Sequence, residues 1–213
     1  MKLHLKLYKE KTLYKTMNYF PKTHGQCKYM LALRSSKPIV VGTGPAGSGK
    51  TMLACQVALE HVTRGKRLVL TRPVVPADED IGYLPGDLDA KMEPWARSMY
   101  DILEKRLTYK QICIEPLGYM RGRTFENTVI LADEMQNATS SQMRMLLTRV
   151  GEGTRLLITG DLEQSDLGEE NGLRHLIQNL SVHHTDHIQH VHMTETDIVR
   201  HPAVHEALKI LQK

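Results

Sequence analysis

The sequence predicts an α/β fold, a mainly parallel sheet flanked by helices in three layers. Three observations predict it. Short β-branched runs such as Pro38–Gly42, Arg67–Thr71 and Thr128–Ala132 alternate along the chain with stretches of helix formers. Those runs are apolar at nearly consecutive positions, the pattern of strands covered on both faces. A glycine-rich loop, Gly44-Pro45-Ala46-Gly47-Ser48-Gly49-Lys50-Thr51, joins the first run to the helical stretch Met52–Glu60. At 213 residues the chain is long enough for one full core, so residues 25–213 are read as a single domain behind a basic arm, residues 1–24.

The arm carries Lys2, Lys6, Lys9, Lys11, Lys15 and Lys22 against one acid, Glu10. Two readings stand: an arm for phosphate backbones, or a solvated terminus. Leu3, Leu5 and Leu7 alternate with polar residues and fit a short edge strand. Gln26 opens an apolar helical stretch that continues through Tyr29–Leu33. Its amide donates and accepts side by side, so it can read the N6/N7 edge of adenine, although spacing alone does not single it out.

The loop that follows has the pattern G-x-x-x-x-G-K-T between a strand and a helix, which is the context that confirms a P-loop. Gly44, Gly47 and Gly49 let backbone N–H groups turn inward around a polyphosphate. Lys50 is expected to reach the β- and γ-phosphates, and the Thr51 hydroxyl to take one Mg²⁺ position. Pro45, Ala46 and Ser48 complete the cradle.

Beyond the second strand, Arg67–Thr71, an acidic segment runs from Pro76 to Asp89 and includes Gly82-Tyr83-Leu84-Pro85-Gly86-Asp87. Pro94–Lys105 reads as a helix with Trp95, Met99, Ile102 and Leu103 on one stripe, and Gln111–Ile114 as a short strand. Arg121-Gly122-Arg123-Thr124-Phe125 fits a grip on single-stranded nucleic acid or a solvated turn equally well. Thr128–Ala132 then runs into Asp133-Glu134, an acid pair at a strand end. Asp133 is placed to hold Mg²⁺ and Glu134 to polarise an attacking water. After a helix over Ser140–Val150, the strand Arg155–Asp161 delivers Asp161 and Gln164, candidates to sense the γ-phosphate.

A helix is expected over Gly172–Leu180. His190 and His192 alternate with Val191 and Met193 as on one face of a strand, which argues against a metal cluster. Thr196 or Asp197 can cap a short turn, and Pro202 starts a final helix reaching Leu211. Net charge is +4, compatible with a nucleic-acid partner. Cys27, Cys55 and Cys113 lack paired spacing and read as reduced thiols of a cytoplasmic protein. No apolar run approaches the roughly 18 residues of a membrane span, so no membrane partner is expected.

Together these residues resemble the PhoH family of ATPases, a RecA-like P-loop family similar in its motifs to superfamily-one helicases. The specific carriers are Gly82–Leu88, Asp133-Glu134-Met135-Gln136-Asn137, Thr159-Gly160-Asp161, Gln164 and Val199-Arg200-His201-Pro202. The resemblance implies Mg²⁺-dependent ATP hydrolysis, with Gln26 on adenine, Gln164 at the γ-phosphate and Arg200 as an arginine finger supplied by a neighbouring subunit. It further implies a homo-oligomeric, hexameric ring, a link to phosphate starvation, and action on single-stranded RNA or DNA. An added nuclease or RNA-binding domain is not expected in a chain of this length. A slow nucleotide-dependent switch and a small-molecule kinase are the alternatives; Glu134 beside the Mg²⁺ acid favours water attack over the kinase.

Overall fold

The computed structural model describes residues 20–73, 99, 101–103, 107, 111–165, 167–200 and 202–211. The leucine alternation at Leu3–Leu7, the acidic segment Pro76–Asp89 and most of Pro94–Lys105 lie outside them. The elements run α1 (His24–Leu33), β1 (Ile39–Thr43), α2 (Lys50–Val62), β2 (Arg67–Thr71), β3 (Ile112–Ile114), β4 (Thr128–Ala132), α3 (Ser140–Leu147), β5 (Arg155–Gly160), α4 (Gly172–Val182), β6 (Ile188–His192) and α5 (Pro202–Leu211).

The six strands form one sheet in the order β3-β2-β4-β5-β1-β6, and every pairing is parallel. All carboxyl ends therefore lie on one edge. β5 sits between the strand that feeds the glycine loop and the strand that ends in Asp133, pairing Val41 with Ile158 on one side and Ile130 with Leu156 on the other.

Strand alternation sorts the apolar residues into two cores. Val40, Leu68, Leu70, Val129, Leu131 and Leu157 face α1 and α2. Val41, Val69, Ile130, Leu156 and Ile158 face the opposite way, toward Met135, Met143, Leu146 and Leu173. This is the three-layer arrangement that runs of consecutive apolar residues require. Met99 and Leu103, in the described part of the expected helix, are buried in the first core.

Local chemistry sets the helix starts. Thr23 caps α1 by accepting from the Gln26 N–H at 3.2 Å. Thr139 and Gln142 cap α3 reciprocally in a capping box, and Asn171 caps α4. At the other end of α1, the buried Arg155 donates to the Leu33 carbonyl at 2.9 Å and to that of Ser35, satisfying carbonyls a helix terminus leaves open. On the edge strand β6, the rings of His190 and His192 both reach the Thr43 hydroxyl, at 2.7 and 3.1 Å. The alternating histidines thus share one strand face.

Two expected helices end at different residues. α3 stops at Leu147, three residues early, because Arg149 folds back to donate to the carbonyls of Met145 and Arg123. α4 runs two residues further, to Val182.

Candidate active site

The glycine loop leaves the carboxyl end of β1 in a conformation that its sequence makes possible. Gly44, Gly47 and Gly49 all have positive φ, +140°, +85° and +86°. At Gly47 the left-handed backbone disfavours any side chain, and a Cβ would lie 2.5 Å from Arg200 Nε, so Arg200 would have to shift. Ser48 is fully buried, and Lys50 begins α2 directly after the left-handed Gly49.

Lys50 is buried, and its ammonium donates to the Gly44 and Pro45 carbonyls at 2.6 and 2.9 Å and to Ser48 Oγ at 3.4 Å. Burial pulls its pKa below the ordinary lysine value, while Asp161, Glu134 and Asp133 pull it back up. One residue on, Thr51 Oγ1 donates to Asp133 Oδ1 at 2.8 Å. Thr159, from the intervening strand β5, donates to the same carboxylate oxygen. A buried carboxylate beside two hydroxyls is a set of hard oxygen donors, which suits Mg²⁺.

Glu134 follows in a left-handed conformation, φ +55°, uncommon for a residue with a Cβ. Its Oε2 accepts from Gln136 Nε2 at 2.6 Å. The other end of the same buried amide, Gln136 Oε1, accepts the Asp161 N–H at 3.0 Å. Asp161 Oδ2 in turn accepts the Ala46 N–H at 3.0 Å. One chain of hydrogen bonds therefore links the glycine loop, the end of β5 and the acid pair. Gln164 ends the short 3-10 turn after Asp161; its side chain is exposed and makes no hydrogen bond among the described residues.

Gln26 is 2% exposed, and both ends of its amide are engaged. Nε2 donates to the Ser48 carbonyl at 3.0 Å and the Asp197 carbonyl at 3.3 Å, and Oε1 accepts the Lys22 N–H at 2.7 Å. Donation from Nε2 to adenine would require an exchange of one of its two bonds, while Oε1 keeps a second lone pair. Gln26 joins the glycine loop, at Ser48, to Asp197.

Arg200 lies on the glycine loop of its own chain. Its NH2 donates to the Ala46 carbonyl at 2.8 Å, and the preceding Val199 N–H donates to the Gly47 carbonyl at 3.1 Å. Arg200 is far along the chain in sequence, but β6 runs beside β1 and returns the chain to the loop, so this contact is made within one chain.

Three residues acquire positions at the site that had no role in the sequence reading. Gln136 and Thr159 stood inside recognised motifs without an assigned contact. Asp197 was expected only as a cap. It does cap the turn after β6, accepting the Thr194 N–H at 2.9 Å, and also accepts from Thr23 Oγ1 at 2.5 Å and the Gly25 N–H at 3.0 Å. Burial raises its pKa, but hydrogen bonds from Thr23, Thr194 and Gly25 outweigh it and hold the carboxyl below the usual range.

Comparison with known proteins accords with this geometry. A family model described as PhoH-like protein matches residues 19–212. The chain is 41% identical over 205 residues to a PhoH-like protein of Bacillus subtilis (strain 168), covering 90% of this chain and 63% of that one. It is 42% identical over 200 residues to a PhoH-like protein of Mycobacterium tuberculosis (strain ATCC 25618 / H37Rv), covering 87% and 56%. With protein PhoH of Escherichia coli (strain K12) identity is 43% over 159 residues, covering 68% and 45%. The chain thus spans less than two thirds of the curated relatives it matches.

Among solved structures, the large terminase from a thermophilic bacteriophage aligns with TM-score 0.53 at 14% identity, over 91% of this chain and 51% of that one. The Pyrococcus furiosus Hef helicase domain aligns with TM-score 0.50 at 14% identity, over 84% and 39%. These two likenesses concern the fold, a P-loop domain of RecA-like type. The family match over nearly the whole chain, on a P-loop fold with its acid pair in place, makes this chain a member of the PhoH-like protein family.

Proposed function

We propose that this chain hydrolyses ATP with Mg²⁺ and couples the reaction to single-stranded nucleic acid as part of a homo-oligomer. The observation that carries the reading is the 2.8 Å contact between Thr51 and Asp133, which brings the glycine loop and the acid pair to one sheet edge. Thr51 and Asp133 would hold Mg²⁺, which when bound neutralises phosphate charge. Lys50 would exchange its bonds to the Gly44 and Pro45 carbonyls for bonds to phosphate oxygens. Glu134, its Oε2 steadied by Gln136, takes a proton from the water that attacks the γ-phosphorus, and ADP leaves with the bridging oxygen. Arg200 and the exposed Gln164 are the groups proposed to answer the γ-phosphate charge.

The chain is basic, and Val204 and Ile210 on α5 are exposed apolar residues suited to a second copy. The test is phosphate release by the full chain with and without single-stranded RNA and DNA, run beside a sizing measurement. Wild-type protein is expected to release phosphate, and Glu134→Gln to bind Mg·ATP normally while slowing about 10²–10⁴-fold. Loss of ATP binding by Glu134→Gln would move that residue into the metal site; absence of turnover in the wild type would sink the hydrolase reading.

A further inference from the structure

We infer that the groove along the outer face of α3 binds single-stranded nucleic acid through Arg121, Arg144 and Tyr119. This deepens the proposed coupling to nucleic acid and rests on it. The fold separates the two members of the Arg121–Arg123 pair that the sequence suggested. Arg123 forms an ion pair with Glu115 and stacks over the Phe125 ring at 4.8 Å. Arg121 instead lines a groove of about 720 Å³ together with Gly118, Ser141, Arg144, Met145 and Thr148.

The groove is a consequence of helical periodicity. Ser141, Arg144, Met145 and Thr148 recur at the spacing that places residues on one helix face. Met143 and Leu146 point the other way, into the core. Arg121 and Arg144 are exposed, and neither guanidinium has a hydrogen-bond or ion-pair partner among the described residues. Arg149, which is nearby, is by contrast occupied by the Met120, Arg123 and Met145 carbonyls. No carboxylate lines the groove among the described residues. Two unpaired guanidinium groups on a wall free of acids define a site for phosphate oxygens.

Tyr119 decides what kind of polyanion fits. Tyr119 is 66% exposed and directly follows Gly118, which lines the groove. An exposed aromatic beside cations is a stacking platform for unpaired bases. A duplex keeps its bases stacked inside, and an acidic peptide offers charge without base planes; only a single strand uses both features. The groove's position suits coupling. α3 begins at the edge of the sheet that carries the active site, and its cap Thr139 lies a few residues past Gln136, which holds Glu134.

The experiment uses the full chain with labelled oligouridylate and oligodeoxythymidylate of about 20 nucleotides, by fluorescence anisotropy over a salt series. Arg121→Ala/Arg144→Ala is expected to lower affinity and to flatten the salt slope by about 1.4, roughly 0.7 for each lost phosphate contact. Tyr119→Ala is expected to weaken binding about tenfold or more without changing the slope. Arg121→Lys/Arg144→Lys should keep the slope, which separates loss of charge from misfolding. Photocrosslinks from thiouridine are expected within residues 118–148. Phosphate release without oligonucleotide should be unchanged in all variants, because none of these residues touches the active site. Unchanged affinity and slope in the double alanine variant would overturn the proposal. So would crosslinks confined to other segments, or a wild-type protein that binds an acidic phosphopeptide but neither oligonucleotide. Oligonucleotide binding by this groove without any ATP turnover would leave the groove standing and remove the hydrolase reading alone.

Discussion

The active site and the α3 groove are built in opposite ways. Around Lys50 and Asp133 the polar groups are buried or half-buried and already paired: ammonium to loop carbonyls, two hydroxyls to one carboxylate, and the Gln136 amide between Glu134 and the Asp161 N–H. Along α3 the charged groups are exposed and unpaired. Burial explains the contrast. A polar group taken out of water must find a partner within the protein, so the first region comes preorganised for one set of charges. An exposed arginine keeps its hydration, and its contacts form and break with salt. The first region is therefore expected to govern turnover and the second affinity for a strand. Substitutions can test that division.

The largest effect should follow Lys50→Ala. It removes a buried cation of the loop and leaves the Gly44 and Pro45 carbonyls without their donor. Phosphate release should fall by about 10²–10³-fold or more, with far-UV circular dichroism unchanged. Normal release by the folded variant would break the comparison at its stronger side.

Arg200 sharpens it. Because its guanidinium lies on Ala46 of the same chain, Arg200→Ala should slow turnover without loss of ATP binding. Mixing it with Glu134→Gln should restore nothing, since no subunit in the mixture holds both intact residues on one chain. Recovered activity in mixed oligomers would show that the arginine works across an interface after all.

Asp197→Asn gives the smallest of the three effects, and it reads stability first. The carboxylate accepts from Thr23, Gly25 and Thr194, and an amide would set an N–H against one of those donors. A loss of about 1–3 kcal/mol is expected, measured by urea unfolding. The pH dependence supplies a second readout. A carboxyl whose folded pKa lies below its unfolded value stabilises the fold above the unfolded value, and that stabilisation disappears as pH falls through the folded one. The wild type should therefore lose part of its advantage over Asp197→Asn below about pH 4. A constant difference across that range would mean that the carboxylate's charge is not what matters.

Much of the candidate site's geometry was legible because its signals are local. A strand, glycines with positive φ, Lys-Thr and a helix follow one another within a short stretch, and Asp133 ends an apolar strand in the same direct way. Short runs of nearly consecutive apolar, β-branched residues placed β1, β2, β4 and β5 within a residue of where they lie. Adjacency across the sheet was not legible. That Thr159 shares Asp133 with Thr51, that Gln26 is bound to Ser48 and Asp197, and that Arg200 returns to its own loop all follow from the order β4-β5-β1-β6. The same limit applies to the arginines. Two residues apart, Arg121 and Arg123 look like a pair, yet a neighbouring acid and an aromatic ring hold one while the other opens on a groove with Arg144 from a separate helix. The sequence by itself determined the elements and the chemistry each strand end carries, because backbone conformation and periodicity are encoded locally. Tertiary structure alone decided which side chains share a partner and which remain free, because burial and contact between distant segments exist only once the sheet has formed.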